Sequence, residues 1–306
     1  MSTTTMPADL RRWVTQHLPD LRTVEDVSWC RIDSQVWRVA CPTATAYVKI
    51  SPARQNYTRE VRAYQHAAGA LGPGRAPRLL AVDPGLRTIM TSPLAGVVVR
   101  TTDLAAAEET RVHELAGQLL RRWHAHDRGS IGPATRAAAV TSIQTRTDVA
   151  AQQAERTAEL LTAPELALVG HALRELPALA ATVPLAFAHG DFSPRNWIWN
   201  RPTASLALLD FEKADNTIAV EDFLWLAATT WPLRPHLRQA MLTGFGRDLD
   251  DDETRALTLL TALAALSYLA AGATRQDPVL TTRAHNAFTH LIPPASTSID
   301  PSCRPA

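Results

Sequence analysis

One short stretch constrains this chain more than any other. Residues 189–196 read HGDFSPRN, so that Asp191 precedes Asn196 by five positions. A short apolar run at 206–209 then ends in Asp210. Phosphoryl transfer uses a carboxylate beside the attacking hydroxyl and oxygen ligands for the metal that accompanies the nucleotide, and an Asp, an Asn and a second Asp in this order can supply them. The stretch therefore predicts a phosphotransferase.

Each of the three residues receives a role from its chemistry. Asp191 is the predicted catalytic base, although a single loop aspartate is more often a turn former or helix cap. Asn196 and Asp210 are the predicted Mg²⁺ ligands, because that ion prefers hard oxygen donors. The alternative for this pair is a hairpin with an asparagine in its turn and an aspartate at a strand end.

Three neighbours of these residues carry less certain roles. Glu212 follows Asp210 by two positions and faces the same side of an extended segment, where it serves as an accessory metal or water ligand or as a surface ion pair. His189 either contacts the substrate or, as is commoner two residues before such an aspartate, bonds the loop backbone, and we expect the second. Arg195 either pairs with a carboxylate or reaches a phosphate, and the sequence leaves both options open.

A lysine upstream completes the predicted nucleotide site. Lys49 lies in a β-rich run at 46–50, from which its ammonium can reach the α- and β-phosphates, and Glu60 on the next helix can hold it in place. A glycine-rich phosphate loop is expected between the first two strands, yet residues 28–35 contain no glycine. Ser34 and the backbone amides near it are the predicted substitutes.

The pattern of apolar residues divides the chain into a β-rich part and a helical part. Helices are predicted at 8–18 and at 56–69, the second stopping at Gly69, and the predicted strands are 23–27, 35–40, 46–50, 78–82 and 88–91. Further helices are predicted at 103–126, 148–161, 164–181, 220–230, 237–246 and 252–271. The fold class is therefore α+β and bilobal. Its predicted units are an N-lobe at 1–92, a connector at 93–99, a helical C-lobe at 100–293 and a poorly ordered tail at 294–306.

Composition excludes several classes of protein. The chain has 31 basic and 30 acidic residues, a formal net charge of +1, which argues against a nucleic-acid partner. No apolar run approaches the roughly 20 residues that span a bilayer, and residues 1–14 have no signal-peptide core, so we expect a cytoplasmic protein with no membrane partner. Cys30, Cys41 and Cys303 form no disulfide or zinc pattern. His124 and His126 do not share a helical face, which favours helix capping over metal binding.

Taken together, these segments resemble the aminoglycoside phosphotransferase family of small-molecule kinases, which includes choline and homoserine-type kinases. The resemblance extends from about residue 45 to 230, and its most specific parts are the HGDFSPRN loop and the LLDFEKA segment that contains Asp210. Supporting segments are VKI at Lys49, REVRAYQ at Glu60, MTSPLAG in the connector, LLRRWHA, and AVEDFLWLA after Asp210.

This resemblance implies a protein-kinase-like fold with ATP, or alternatively GTP, bound between the lobes. The nucleotide would lie against Lys49 and the backbone from Ser92 to Leu94. Asp191 would be the base, and Asn196 and Asp210 would hold Mg²⁺. Helices of the second lobe would form the acceptor site. Family members often confer antibiotic resistance by phosphorylating a hydroxyl of the drug.

The sequence thus predicts an ATP-dependent O-phosphotransferase that acts on a small hydroxylated molecule, with an antibiotic as the expected acceptor. The balanced charge favours a neutral or weakly charged acceptor, such as a nucleoside antibiotic, a macrolide or a sugar-like metabolite, over a polycationic aminoglycoside. A local acidic cleft formed by Glu221, Asp222 and the run at 248–253 would reverse that preference. The alternatives are a metabolic small-molecule kinase and a catalytically silent kinase-like binding protein. The oligomeric state is not predicted.

Overall fold

The computed structural model of the protein describes residues 5–28, 35–126 and 128–292. Ser34, the proposed phosphate contact, and the predicted tail at 294–306 therefore lie outside the described residues. The described chain has a β-rich N-terminal part and a helical C-terminal part, which confirms the predicted bilobal α+β class.

The N-terminal part is a five-stranded antiparallel sheet of order β1-β2-β3-β5-β4 with a helix on each face. Its elements are α1 Ala8–His17, β1 Thr23–Asp26, β2 Gln35–Cys41, β3 Ala44–Ile50, α2 Arg54–Ala70, β4 Leu79–Asp83 and β5 Thr88–Thr91. Alternate residues of β2 and β3 point toward α1, so that Trp37 and Val48 share a small core with Trp13. On the other face, Tyr64 of α2 and Ile89 of β5 join the main core of the protein.

Gly69 does not end α2 as predicted, because the helix continues to Ala70. Its function is steric. A Cβ at this position would lie 2.6 Å from the ring of His126, so glycine permits close packing between α2 and the C-terminal part. The chain turns only at Gly72, whose φ of +79° is accessible to glycine without strain.

The C-terminal part surrounds two small sheets with helices. Its strands are β6 Val97–Val98, β7 Leu185–Ala188, β8 Trp197–Asn200, β9 Ser205–Leu208 and β10 Asp215–Ile218. Its α-helices are α3 Ala106–Ala125, α4 Pro133–Arg156, α5 Ala163–Thr182, α6 Leu224–Thr229, α7 Pro235–Phe245, α8 Asp251–Arg275 and α9 Pro278–Leu291. β7 pairs with β10, and β8 lies between β6 and β9, so the loop after β7 is enclosed by short strands.

Two helical predictions were wrong in extent. α4 begins at Pro133 rather than at 148, and α9 was not predicted. The unpredicted part of α4, residues 133–147, buries only Ala139, Ile143 and Thr147, and α9 buries little beyond Phe288 and two alanines. The apolar periodicity that identifies a helix in sequence is weak in such segments.

Close helix contacts hold the C-terminal part together. α3 crosses α7 where Gly117 faces Met241 and Gly244 faces Glu114, and a Cβ at either glycine would overlap the backbone opposite. α8 is long and apolar enough to cross a membrane by length and composition, but 61% of its apolar window is buried inside the protein. Burial of this kind is characteristic of a core helix.

An aromatic stack joins the two parts beside the predicted site. The Trp123 ring lies parallel to Phe211 at 5.0 Å and to Phe187 at 5.9 Å between ring centroids. Tyr64 of α2 meets the Phe211 ring edge-on at 5.0 Å. Aromatic pairs in these geometries contribute beyond the area that they bury, so the stack fixes Phe211 and with it the neighbouring Asp210.

Candidate active site

The site begins with a lysine held by a helix of the N-terminal part. Lys49 lies near the end of β3, and its Nζ lies 3.1 Å from both carboxylate oxygens of Glu60 on α2. The Lys49 side chain is 12% exposed and that of Glu60 only 1%, so the pair is largely removed from water. The predicted pairing of these two residues is confirmed.

The same ammonium reaches across to the C-terminal part. Lys49 Nζ donates to Asp210 Oδ1 at 2.7 Å and lies 3.1 Å from Glu212 Oε2. For Glu212, the structure thus gives an ion pair with a buried lysine rather than a surface ion pair. Asp210 has a left-handed backbone, with φ of +63°, a conformation that non-glycine residues adopt rarely and aspartate tolerates better than most.

One cation among three carboxylates shifts the proton affinities of the cluster. Burial alone would lower the pKa of Lys49, but the charges of Glu60, Asp210 and Glu212 raise it well above its ordinary value. Burial raises the pKa of Glu60 to about 7 against the opposing effect of Lys49. Burial acts in the same direction on Asp210, yet Lys49 outweighs it and the pKa of Asp210 is lowered. The metal-ligand candidate therefore keeps its charge, and the deeply buried Glu60 takes up a proton first.

The loop after β7 brings Asp191 and Asn196 together. The Asn196 side-chain amide donates from Nδ2 to the Asp191 backbone oxygen at 2.9 Å. The backbone N–H of Leu209 donates to the Asn196 carbonyl at 3.0 Å, which connects this loop to the residue before Asp210. His189 is fully buried, and its Nδ1 accepts the Asp191 N–H at 3.3 Å, so the predicted structural role of this histidine is confirmed.

Two cations flank the predicted base. Arg195 forms an ion pair with Asp191 Oδ2, and Lys213 Nζ lies 3.6 Å from the same oxygen. Arg195 also contributes to lowering the pKa of Asp210, after burial and the larger effect of Lys49. In this structure, Arg195 therefore pairs with a carboxylate, the first of its two predicted options.

A buried aspartate, which the sequence had suggested as part of an acidic cleft, organises the loop instead. Asp222, 1% exposed, accepts the His189 N–H at 2.9 Å and the Gly190 N–H at 2.8 Å. The His124 ring nitrogen Nε2 lies 2.7 Å from the same carboxylate. Gly190 itself requires glycine, since its φ is +76° and a Cβ would overlap the Lys213 carbonyl. Because His124 contacts Asp222 rather than the end of its own helix, its predicted capping role is wrong.

The remaining predicted contacts are less closely tied to the cluster. Ser92 directly follows β5. Its N–H donates to the Arg78 carbonyl at 2.9 Å, and its hydroxyl accepts the Arg78 N–H at 2.9 Å. Ser92 and Leu94 lie on the connector between the two parts. The roles of Ser92 and Leu94 in nucleotide binding remain predictions.

The carboxylates of the predicted acidic cleft are partly engaged within the protein. Asp222 is buried under the loop, and Glu221 lies 2.8 Å from both Arg146 and the Thr217 hydroxyl. In the run at 248–253, Asp250 caps α8 and Glu253 pairs with Arg247. Most of these groups already have partners within the protein.

The fold and this geometry define a class: a bilobal kinase-like phosphotransferase that acts on hydroxyl groups of small molecules. A sequence model described as the phosphotransferase enzyme family matches residues 23–259. The chain therefore belongs to the phosphotransferase enzyme family. A search of curated protein sequences gave no match.

Solved structures share the fold at low sequence identity. A gentamicin complex of the aminoglycoside phosphotransferase APH(2'')-IIa is 15% identical, with a TM-score of 0.64, covering 94% of this chain and 97% of that one. ADP-bound APH(2'')-Ib is 15% identical, with a TM-score of 0.64 and coverages of 93% and 98%. A choline/ethanolamine kinase family protein from Mesorhizobium loti is 20% identical, with a TM-score of 0.63 and coverages of 94% and 94%.

Proposed function

We propose that the protein transfers the γ-phosphate of ATP to a hydroxyl group of a small molecule. The observation that carries this proposal is the 2.7 Å contact between Lys49 Nζ and Asp210 Oδ1, which joins the two parts of the chain beside the loop that holds Asp191. Phosphoryl transfer depends on positioning and on charge stabilisation rather than on covalent chemistry, so converging charges of both signs are what the reaction requires.

The nucleotide would bind between β3 and the catalytic loop. Lys49 is already oriented by Glu60, so its ammonium would meet the phosphates with little loss of side-chain freedom. Ser92 and Leu94 would supply backbone contacts to the purine ring of the nucleotide. Ser34 remains the proposed substitute for a glycine-rich loop. Similar structures are described with ATP, ADP and GDP, and we propose ATP as the donor here.

Asn196 and Asp210 have donors that fit Mg²⁺. The Asn196 amide nitrogen is used by the Asp191 carbonyl, which leaves its side-chain oxygen as the ligand, and the Asp210 carboxylate is 32% exposed. Within the described ranges, no group of three or more His, Cys, Asp or Glu side chains is arranged for a metal. That suits Mg²⁺, which usually binds one or two protein ligands and completes its shell with water and phosphates. When bound, the ion would neutralise charge on the phosphates.

Asp191 would accept the proton of the acceptor hydroxyl. It is held by the loop geometry that Asp222 and His189 maintain, and its carboxylate is only 10% exposed. Arg195 and Lys213 lie beside this carboxylate, where positive charge also stabilises the phosphoryl group as it moves toward the acceptor.

The acceptor is proposed to be a neutral or weakly charged hydroxylated molecule, with an antibiotic as the leading candidate. A polycation would need several uncommitted carboxylates, whereas Glu221 and Glu253 are paired with arginines. Lys213 beside the base would also repel a polycationic acceptor.

The test is direct transfer of labelled phosphate. Purified protein with Mg²⁺·ATP should add a single phosphate to one member of a panel of hydroxylated antibiotics and sugar-like metabolites, detected by mass spectrometry, and expression should protect a susceptible host. Asp191→Asn should abolish transfer and leave thermal stability in place, whereas Asp252→Asn, at an exposed position on α8, should behave as the wild type.

Two outcomes would contradict the proposal. Wild-type turnover by Asp191→Asn would remove this residue as the base. Failure of millimolar Mg²⁺·ATP or Mg²⁺·GTP to raise the melting temperature would support a catalytically silent binding protein instead.

A further inference from the structure

A cavity of about 280 Å³ lies in the helical part and includes none of the proposed catalytic or metal-binding residues. Its walls come from the ends of α3 and α7, the start of β7 and the short segment after α3. Three arginines line it, namely Arg121, Arg128 and Arg247. Its apolar lining includes Leu185, Ala186 and Phe245. The volume is close to the lower end, roughly 300 Å³, of pockets that bind small molecules.

The three guanidinium groups differ in what they already bind. Arg247 donates to both carboxylate oxygens of Glu253, at 2.5 and 2.7 Å, and to the Asp248 carbonyl at 2.9 Å. Arg121 and Arg128 are exposed, and among the described residues neither side chain makes a hydrogen bond or an ion pair. The cavity therefore holds two positive charges that the described part of the protein does not neutralise.

Helix capping does not account for these charges. α3 and α7 both end at this cavity, and the C-terminus of a helix attracts cations because it carries about half a negative charge. A capping guanidinium would donate to the free carbonyls of the last turn, and neither Arg121 nor Arg128 does so in the described structure. Two terminal half-charges would in any case offset only about one of the two cations.

The lack of a side chain at Gly246 makes room for Arg121, one of the two arginines of the cavity that are unpaired in the described structure. Gly246 follows α7 in a left-handed conformation, with φ of +84°, and a Cβ there would overlap Arg121 Nη1. The absence of a side chain lets the guanidinium lie over the turn at the cavity wall. Planar guanidinium groups bind carboxylates and phosphates through paired hydrogen bonds, so two of them next to an apolar wall suit an oxyanion on a small apolar body.

A buried contact connects this cavity to the catalytic loop. His124 is part of the cavity wall, is 7% exposed, and stacks edge-on with Phe245 at 5.8 Å. Its Nε2 contacts Asp222, and Asp222 accepts the N–H groups of His189 and Gly190 directly before the predicted base. A ligand that orders His124 therefore acts on the hydrogen bonds that hold the loop.

We propose that this cavity binds a small molecule bearing a carboxylate or phosphate group, and that its occupation stabilises the catalytic loop through His124 and Asp222. The anionic group lies between Arg121 and Arg128, and the apolar portion lies on Leu185. The inference does not depend on which acceptor the active site uses.

Three phenyl compounds test the binding site. Phenyl phosphate, benzoate and neutral benzyl alcohol share a ring but differ in charge, and saturating Mg²⁺·AMP-PNP keeps the probes from the nucleotide site. At constant ionic strength, at least one anion at ten times its Kd should raise Tm by about 3 °C, and benzyl alcohol should not. When the two anions are compared at one common concentration, a larger shift with phenyl phosphate than with benzoate identifies a phosphate site, and the reverse identifies a carboxylate site. Equal shifts with all three probes, or no shift with any, overturn the proposal.

Variants locate the binding. Arg121→Gln/Arg128→Gln should remove the shift, whereas Arg122→Gln, an exposed neighbour on α3 that does not line the cavity, should retain it. A shift that persists in the double variant places the anion elsewhere and refutes the site. Unfolding of the unliganded variants by urea shows whether each remains folded.

Hydrogen exchange tests the connection to the loop. The bound anion should slow exchange of the His189 and Gly190 amides several-fold in the wild type, and the effect should disappear in His124→Asn that still binds the probe. Binding without any change at these two amides would refute the coupling.

Discussion

Replacement of Asp222 by asparagine should damage both stability and catalysis, although the two side chains have nearly the same shape. The Asp222 carboxylate accepts three donors, from His189 N–H, Gly190 N–H and His124 Nε2. An asparagine amide offers one oxygen, and its NH₂ group would then face at least one of these donors. A buried donor left without an acceptor costs about 1–3 kcal/mol, and loss of the charge weakens the bonds that remain. We expect the free energy of unfolding to fall by about 2–4 kcal/mol.

The catalytic effect should persist under conditions where the variant is folded. Gly190 directly precedes Asp191, so a loop that loses its anchor displaces the base, and a displacement of about 1 Å costs roughly 100-fold in rate. The assay combines urea unfolding with steady-state transfer from ATP to the acceptor found in the panel. Hydrolysis of ATP without acceptor serves as a second readout of phosphoryl transfer.

Asp252→Asn is the matched control, because it makes the same chemical change at an exposed position of α8. It should alter stability by less than about 0.5 kcal/mol. If Asp222→Asn matched this control in both unfolding and turnover, the hydrogen bonds from Asp222 to the loop would not hold the base, and the reasoning would fail.

Three further predictions follow from burial and backbone geometry. Because the pKa of Glu60 rises from 4.5 to about 7 on folding, the folded state binds this proton more tightly, so the group's contribution to stability is present below pH 4.5 and is lost as pH rises to about 7. Urea unfolding at several pH values should show the wild type losing up to about 3 kcal/mol relative to Glu60→Gln across that range, and equal slopes would contradict the shift. Gly244→Ala should destabilise by about 1–3 kcal/mol in thermal unfolding, since the new methyl group overlaps the Glu114 carbonyl. Gly190→Ala should reduce turnover more than stability, because its φ of +76° and the nearby Lys213 carbonyl force the loop to move.

The candidate catalytic residues were the easiest to recognise from sequence. Asp191, Asn196 and Asp210 occupy two short segments, so their spacing limits how they can be arranged, and the structure connects the two segments through the Leu209 N–H and the Asn196 carbonyl. The strands of the N-terminal sheet were also predicted within a few residues, because four of the five alternate more buried with more exposed side chains.

Support for the loop from distant parts of the chain was not predicted. Asp222 acts on backbone groups 32 and 33 residues away, and His124 reaches it over 98 residues. Such contacts leave no local spacing in the sequence. One signal was present: the aspartate stands within the apolar segment AVEDFLWLA, and a carboxylate that becomes fully buried must find donors there. The interpretation of Asp222 as part of an acidic surface was wrong, because this residue is buried.

The total charge of the chain suggested the kind of acceptor proposed above, but it could not locate the site. A formal net charge of +1 is compatible with an acidic cleft anywhere on the surface. In the folded chain, Glu60 and Glu212 surround Lys49, Asp222 is occupied by backbone donors, and two cations flank Asp191. Buried carboxylates persist only where such partners compensate the loss of water, so the acidic residues of this region are consumed by the structure that holds the base. What remains near the base is positive, and that local balance, rather than the total, favours an acceptor without multiple positive charges.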